Sequence, residues 1–247
     1  EYGGGNTTEL DAMIKPNVPS WRYINISNAF NVSLKMNDTG NRYGIESTTD
    51  THMMKNSEWG AVAYLSQSKY GKLGNTNFTG ANKEIYQNKS DQLITGCSYG
   101  APSNYNTDYG CQYAYDESTG GTGASTTGNI YGIYDMSGGS WEYVMGNYND
   151  VVGNSGFTTM PDLKYYNKYT TNNINTACNG SVCLSQGLSE TVNWYNDYLD
   201  TNNNHSWILR SGGYTDPINA GIFYTGNSND ALGGPTYTHT FRLVITL

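Results

Sequence analysis

The chain is short of basic charge, of long apolar runs, of histidine and of cysteine, and each shortage narrows what it can do. Its 247 residues carry 13 Lys and Arg against 21 Asp and Glu, a formal net charge of −8. Nucleic-acid phosphates and anionic lipid surfaces are both held by clustered Lys and Arg, so neither partner is expected. There is no run of about 18 apolar residues, so no membrane-spanning helix is expected in this chain. The histidines, His52, His205 and His239, lie far apart. With no nucleophile elbow in the sequence either, a Ser/His/Asp hydrolase is disfavoured. Glycines 3–5 are not followed by the Lys or the dinucleotide fingerprint that a phosphate cradle needs.

The four cysteines are Cys97, Cys111, Cys178 and Cys183. Pairing them in sequence order closes two local loops, and Asn179-Gly180 supplies a turn that brings Cys178 and Cys183 together. A zinc site is the rival reading, but neither spacing is a Cys-x-x-Cys and no histidine lies close by in sequence, so disulfides are favoured. Two disulfides imply an oxidising compartment.

What the chain has in quantity is tyrosine, 23 residues, with five tryptophans, and Asn, Thr, Ser and Gly throughout. The hydrophobic share is only 36%. Each large aromatic nevertheless buries about 150–250 Å² and keeps a polar handle, so a core is attainable. With only 14% charged residues, the composition is that of a loop-rich secreted domain. No linker-like break divides it, so one domain over 1–247 is expected. Residues 1–20 read as a flexible or trimmed N-terminal segment. Because the chain starts at Glu1 without Met, any export signal or anchor is expected outside it.

Two helices are expected. Ser27 can cap one over residues 28–37, stopped by Asp38-Thr39-Gly40-Asn41. A second starts at an Asn56 or Ser57 cap with Glu58 in its first turn. Trp59, Val62, Ala63, Ser66 and Tyr70 then recur at helical spacing as a core stripe until Gly71. Residues 72–127 are polar and turn-rich, and a turn or short helix is expected around 161–169. Trp194, Tyr195 and Tyr198 form an aromatic cluster. Asp200, Asn202 and Asn204 imitate the start of a calcium loop, but His205 and Ser211 stand where it needs Gly and Glu, so an ordinary Asn-rich loop is favoured. Strand-like runs follow at 207–209, 222–224 and 241–245.

The most specific stretch is 128–144. A β-forming run (Ile130, Tyr131, Ile133, Tyr134) precedes Asp135, then Gly138-Gly139, then Trp141-Glu142-Tyr143. Two extended segments meeting at a tight glycine bend are expected. Asp135 and Glu142 can bond turn amides or ligate a hard cation such as a structural calcium.

The pattern Gly-Asn-x-Tyr-Gly-Ile-Tyr-Asp-Met-Ser-Gly-Gly-x-Trp-Glu-Tyr at 128–143 resembles the central motif of the formylglycine-generating-enzyme-like (sulfatase-modifying-factor) branch of the C-type lectin fold. It departs from that motif at Gly139, where the family usually has Asn. Asn56-Ser57-Glu58-Trp59, Leu209-Arg210-Ser211-Gly212-Gly213 and Phe241-Arg242-Leu243-Val244, with Thr240 in a Gly place, resemble further family segments in the same order. The resemblance spans roughly residues 20–247 and implies an α+β, C-type lectin-like fold: two helices, short twisted antiparallel sheets and long irregular loops. The family's copper enzyme uses a cysteine pair just before the closing strand. Here residues 214–240 contain no cysteine, so the soft ligands of that chemistry are not in place.

Binding is the remaining expectation. Tyr214, Asp216, Asn219, Phe223, Tyr224, Asn227, Asn229, Asp230, Tyr237 and His239 crowd the segment before the closing strand. Tyr and Asn are the types that adaptable binding surfaces favour. In the resembling family this segment lies near the binding face, and it is the part that diversity-generating retroelements vary in their target proteins. The expectation is a secreted or surface-displayed bacterial domain, not an enzyme and with no required cofactor, that presents residues 207–240 to a protein or glycan on another cell or host surface. The alternatives are a divergent metal-dependent modifying enzyme and a structural subunit of a surface filament.

Overall fold

A computed structural model describes residue 12 and residues 20–89, 93–94, 110–111, 121–169, 185–191, 194–199, 205–214, 220–226 and 232–246. Over these residues the protein is a mixed α+β structure of two helices and small sheets. The first helix, α1, spans Ile26–Leu34 and runs into a 3-10 turn at Lys35–Asn37. Its cap is Asn25, not Ser27: the Asn25 side chain accepts from the Asn28 N–H at 2.8 Å. Asn and Ser cap about equally well, so the sequence alone does not choose between them. Ile26, Ala29, Phe30 and Ser33 lie on its buried side.

The second helix, α2, spans Asn56–Ser66. Glu58 accepts from the Lys55 N–H at 2.8 Å, satisfying a backbone donor at the helix start while its charge meets the positive end of the helix. Trp59, Ala63 and Ser66 are buried as expected. Tyr70 is not on the stripe: the helix ends four residues before it, and Tyr70 is 75% exposed.

The sheets form around β4, Trp141–Tyr148, whose residues after Trp141 are all buried. On one side β4 pairs antiparallel with β6, Trp207–Arg210, with a register irregularity between Val144 and Asn147. On the other it pairs parallel with β5, Asn167–Tyr169, and parallel with β8, His239–Phe241. The short β7, Thr225–Gly226, adds to β6. Apart from this sheet, β1, Asp50–Met53, pairs antiparallel with β9, Leu243–Thr246, and β2, Leu93–Ile94, pairs parallel with β3, Gly110–Cys111. The sheets are therefore mixed and not antiparallel throughout. Local patterns mark a strand but carry no record of which distant segment lies beside it or in which direction.

Side chains alternate across the pleat. Val144, Tyr148 and Ile208 enter a core with Trp59, Ala63, Leu188, Ile222 and Phe223, while Tyr143, Met145, Trp207 and Leu209 enter a second with Ile26, Ala29 and Phe30. The central sheet is thus packed by α2 on one face and α1 on the other. Residues 130–134 depart from expectation: no strand forms, and Ile130 and Tyr131 are 42% and 88% exposed. A β-forming composition does not hold a strand without a partner to complete its hydrogen bonds.

Candidate functional site

The glycine bend is as tight as its sequence implies. Gly138 and Gly139 have φ of +77° and +74°, and a Cβ on Gly138 would stand 2.1 Å from the Asn88 carbonyl oxygen. Gly138 donates to Ser211 O at 3.0 Å, Gly139 to Asn88 O at 2.9 Å, and Tyr214 donates back to Gly139 O at 2.7 Å. The bend is clamped between two remote segments and delivers Glu142 into the interior.

The two candidate calcium residues both meet an arginine. Arg242 Nε donates to Glu142 Oε2 at 2.7 Å, and its NH2 group donates to the other carboxylate oxygen and to the Asp135 carbonyl at 3.0 Å. Burial pushes the Glu142 carboxyl up, and the guanidinium opposes that shift. Arg242 thus joins the two residues of the calcium expectation, Glu142 through its carboxylate and Asp135 through its backbone carbonyl. Among the described residues no group of three His, Cys, Asp or Glu side chains could hold a metal ion. Cys97, Cys178 and Cys183 lie outside the described residues, as does the calcium-like segment 200–204, and only the backbone of Cys111 is described.

A second guanidinium, which sequence reasoning missed, holds the C-terminal half. Arg210 is fully buried and donates to the carbonyls of Gln186 (2.8 Å), Gly187 (2.8 Å) and Tyr224 (3.1 Å). Burial pushes it down to about 10. The indole of Trp59 lies 5.9 Å from Arg210 and 6.0 Å from Arg242. The Arg-Gly-Gly segment was its only signal, and nothing local in it says that the arginine points inward.

Of the ten residues expected to form the binding face, Asp216, Asn219, Asn227, Asn229 and Asp230 lie outside the described residues. The other five do not share a surface. Tyr237 is 70% exposed and stacks on Tyr23 at 4.6 Å, and Tyr214 is half-buried. Phe223 and Tyr224 are interior, because two large aromatic rings contribute more area to the core than to a rim. His239 is interior on β8, 4.8 Å from the Tyr143 ring, and burial pushes it down to about 4. The described part of 207–240 is therefore mostly floor.

What stands on that floor is the cluster Trp194, Tyr195 and Tyr198, 40%, 38% and 42% exposed. Trp194 packs edge-on against Phe223 at 5.1 Å and Tyr64 at 6.0 Å, and Tyr198 lies 5.8 Å from Tyr224. The Tyr195 hydroxyl donates to Gln67 at the end of α2. Tyr195 and Asn196 take left-handed φ of 56° and 64°. Below them Asp197 accepts from the Phe223 N–H at 2.8 Å, and its carboxyl is pushed by burial up to about 7. The readable signal was the Asn196-Asp197 pair directly after two aromatics, which marks an exposed turn. Beside the cluster, sharing Tyr64, runs a groove of about 310 Å³ between α2 and residues 185–186.

No protein-family model matches this chain, and no curated protein matches it.

Proposed function

We propose that the chain is a non-catalytic ligand-binding domain of C-type lectin-like fold, exported and displayed at a cell surface. The observation that carries this reading is the aromatic surface of Trp194, Tyr195 and Tyr198, set on a buried floor of Phe223 and Tyr224. Large rings held by a rigid floor lose little freedom when they meet a partner, which is what an adhesin or receptor-binding surface needs. The lectin-like reading is supported by the pairing of the closing strand β9 with β1 and by the Glu142–Arg242 bridge between the central motif and that closing segment. The non-catalytic reading is supported by the engagement of Glu142 with Arg242 and by the missing cysteine pair in 214–240.

The test is binding of the labelled full chain to a panel of bacterial and animal cells. Saturable binding that falls about tenfold or more in a Trp194→Ser, Tyr198→Ser double variant is expected, a loss of about 1.4 kcal/mol. Binding to no cell, or binding the double variant leaves intact, overturns the reading. If the domain is the variable protein of a diversity-generating retroelement, its coding sequence is flanked by a reverse-transcriptase gene and an imperfect repeat that differs at adenines. Without them it is a plain adhesin.

A further inference from the structure

Among the described residues, Tyr23 and Tyr237 form the tightest aromatic stack, and it lies at the surface. The ring centroids are 4.6 Å apart with the planes 15° from parallel, and the two residues are 39% and 70% exposed. That separation is at the short end of the range of about 4.5–7 Å over which aromatic rings pair.

The pair is set by the backbone. The Tyr23 N–H donates to Thr236 O at 2.9 Å and the Ile26 N–H to Gly233 O at 3.1 Å, which ties the segment ahead of α1 to the segment ahead of β8. The Tyr143 hydroxyl donates to Gly234 O at 3.3 Å and anchors the second segment to the central sheet. Tyr23 itself has φ of +62°, in the left-handed region that residues with a Cβ rarely enter. Such a conformation persists where the surroundings impose it, and it gathers at working sites.

Other tyrosine pairs lack this combination. Tyr148 and Tyr169, 5.5 Å apart, are both interior, and Tyr198 faces a buried Tyr224 whose hydroxyl accepts from Trp141. Tyr70 and Tyr131 are more exposed, but neither stacks on a second tyrosine among the described residues.

We infer that Tyr23 and Tyr237 are a modification site, at which a haem peroxidase and hydrogen peroxide join the two rings as dityrosine. Each phenol gives up one electron and its hydroxyl proton. The two phenoxyl radicals pair their odd electrons in a new carbon–carbon bond between ring positions ortho to the oxygens. The hydrogens displaced from those positions return to the oxygens, so both phenols are restored. The two electrons and two protons released reduce one hydrogen peroxide to two waters. The rings have to turn from face-on towards edge-on, a side-chain motion that exposed residues make within nanoseconds. Because the residues lie near opposite ends of the chain, the bond closes nearly all of it into one loop, and a cross-link restrains the unfolded chain more as its loop lengthens.

The full chain, dilute enough to stay monomeric, is treated with a haem peroxidase and hydrogen peroxide, then followed by intact mass, dityrosine fluorescence and peptide mapping. The expected product is a monomer lighter by two hydrogens, in which the peptides carrying Tyr23 and Tyr237 are joined. Its unfolding midpoint is expected to rise by about 5 °C or more. Tyr237→Phe, which keeps the ring and removes the phenol, is expected to abolish nearly all of the monomer's dityrosine, whereas Tyr131→Phe leaves it unchanged. Fluorescence confined to covalent dimers, joined peptides that lack either residue, an undiminished yield in Tyr237→Phe, or no dityrosine at all overturns the site. The peptide map of the unaltered chain decides the matter even if Tyr237→Phe folds poorly. A joined monomer whose midpoint does not rise keeps the site and overturns its stabilising effect.

Discussion

The recognisable stretch around Gly138 and Glu142 and the unmarked turn at 194–198 use the same residue types for opposite ends. In the first, Glu142, Tyr143 and the neighbouring Trp207 are at most 3% exposed, and the carboxylate is spent on Arg242. In the second, Trp194, Tyr195 and Tyr198 keep about two-fifths of their surface. The comparison teaches that a sequence signature can mark what the fold consumes internally. The rings left exposed at the surface need no signature beyond a turn.

If that contrast is right, a large loss of stability follows from breaking the bridge in the first region. Glu142→Ala leaves Arg242, whose side chain is 24% exposed and still bonds the Asp135 carbonyl, without its carboxylate partner, and chemical denaturation is expected to show a loss of about 3 kcal/mol. A loss under about 1 kcal/mol would mean the pair is as weak as a surface one. Next, Gly138→Ala combines left-handed φ with a Cβ 2.1 Å from a carbonyl oxygen, whereas Gly40→Ala, at φ +82°, meets nothing within 4 Å. Gly138→Ala is expected to cost about 2 kcal/mol or more and Gly40→Ala about 1. Equal costs would show that the bend can relax.

Two buried histidines sharpen the contrast by titration. His52 lies between Glu58 Oε1 at 2.9 Å and Asp50 Oδ1 at 3.1 Å, with Lys55 on the same Glu58 carboxylate at 3.3 Å and the Tyr165 ring 6.4 Å away. Its hydrogen bond to Glu58 raises it above 6.5. The folded state therefore binds the proton more tightly. Its stabilisation is fully present below pH 6.5 and disappears as pH rises through the raised value. His239, lowered by burial to about 4 from 6.5, acts in the opposite sense. The unfolded chain takes up the proton first, so stability falls as pH drops from 6.5 towards 4. The difference between wild type and His52→Gln should accordingly shrink above pH 6.5, and His239→Gln should lessen the acid-side decline. Imidazole titrations by NMR that run in the same direction for both would contradict this placement. The smallest effect on stability is expected from Trp194→Ala, below that of Trp207→Ala. Truncating a fully buried tryptophan costs about 3–5 kcal/mol.

The helices were legible because their information is local. Glu58 in the first turn, and Trp59, Ala63 and Ser66 at helical spacing, act within two turns; the boundaries were misplaced by one or a few residues, with caps at Asn25 and Lys55 in place of Ser27 and Asn56 or Ser57, and an end short of Tyr70. The glycine bend was legible for the same reason. The interior placement of Phe223, Tyr224 and His239 was not, since an aromatic residue in a Tyr- and Asn-rich segment reads alike at a rim and on a floor.

By itself, the sequence determined an α+β chain with two helices, a tight Gly138-Gly139 bend and too little basic charge for phosphate partners, because helix periodicity, glycine backbone freedom and net charge are properties of neighbouring residues or of composition. Only the tertiary structure decided that β4 lies parallel to β5 and β8, that Arg242 meets Glu142, and that the rings at 194–198 stand over those at 223–224. Each of these depends on partners 21 to 100 positions apart in sequence, brought together by burial of apolar area that does not depend on sequence order.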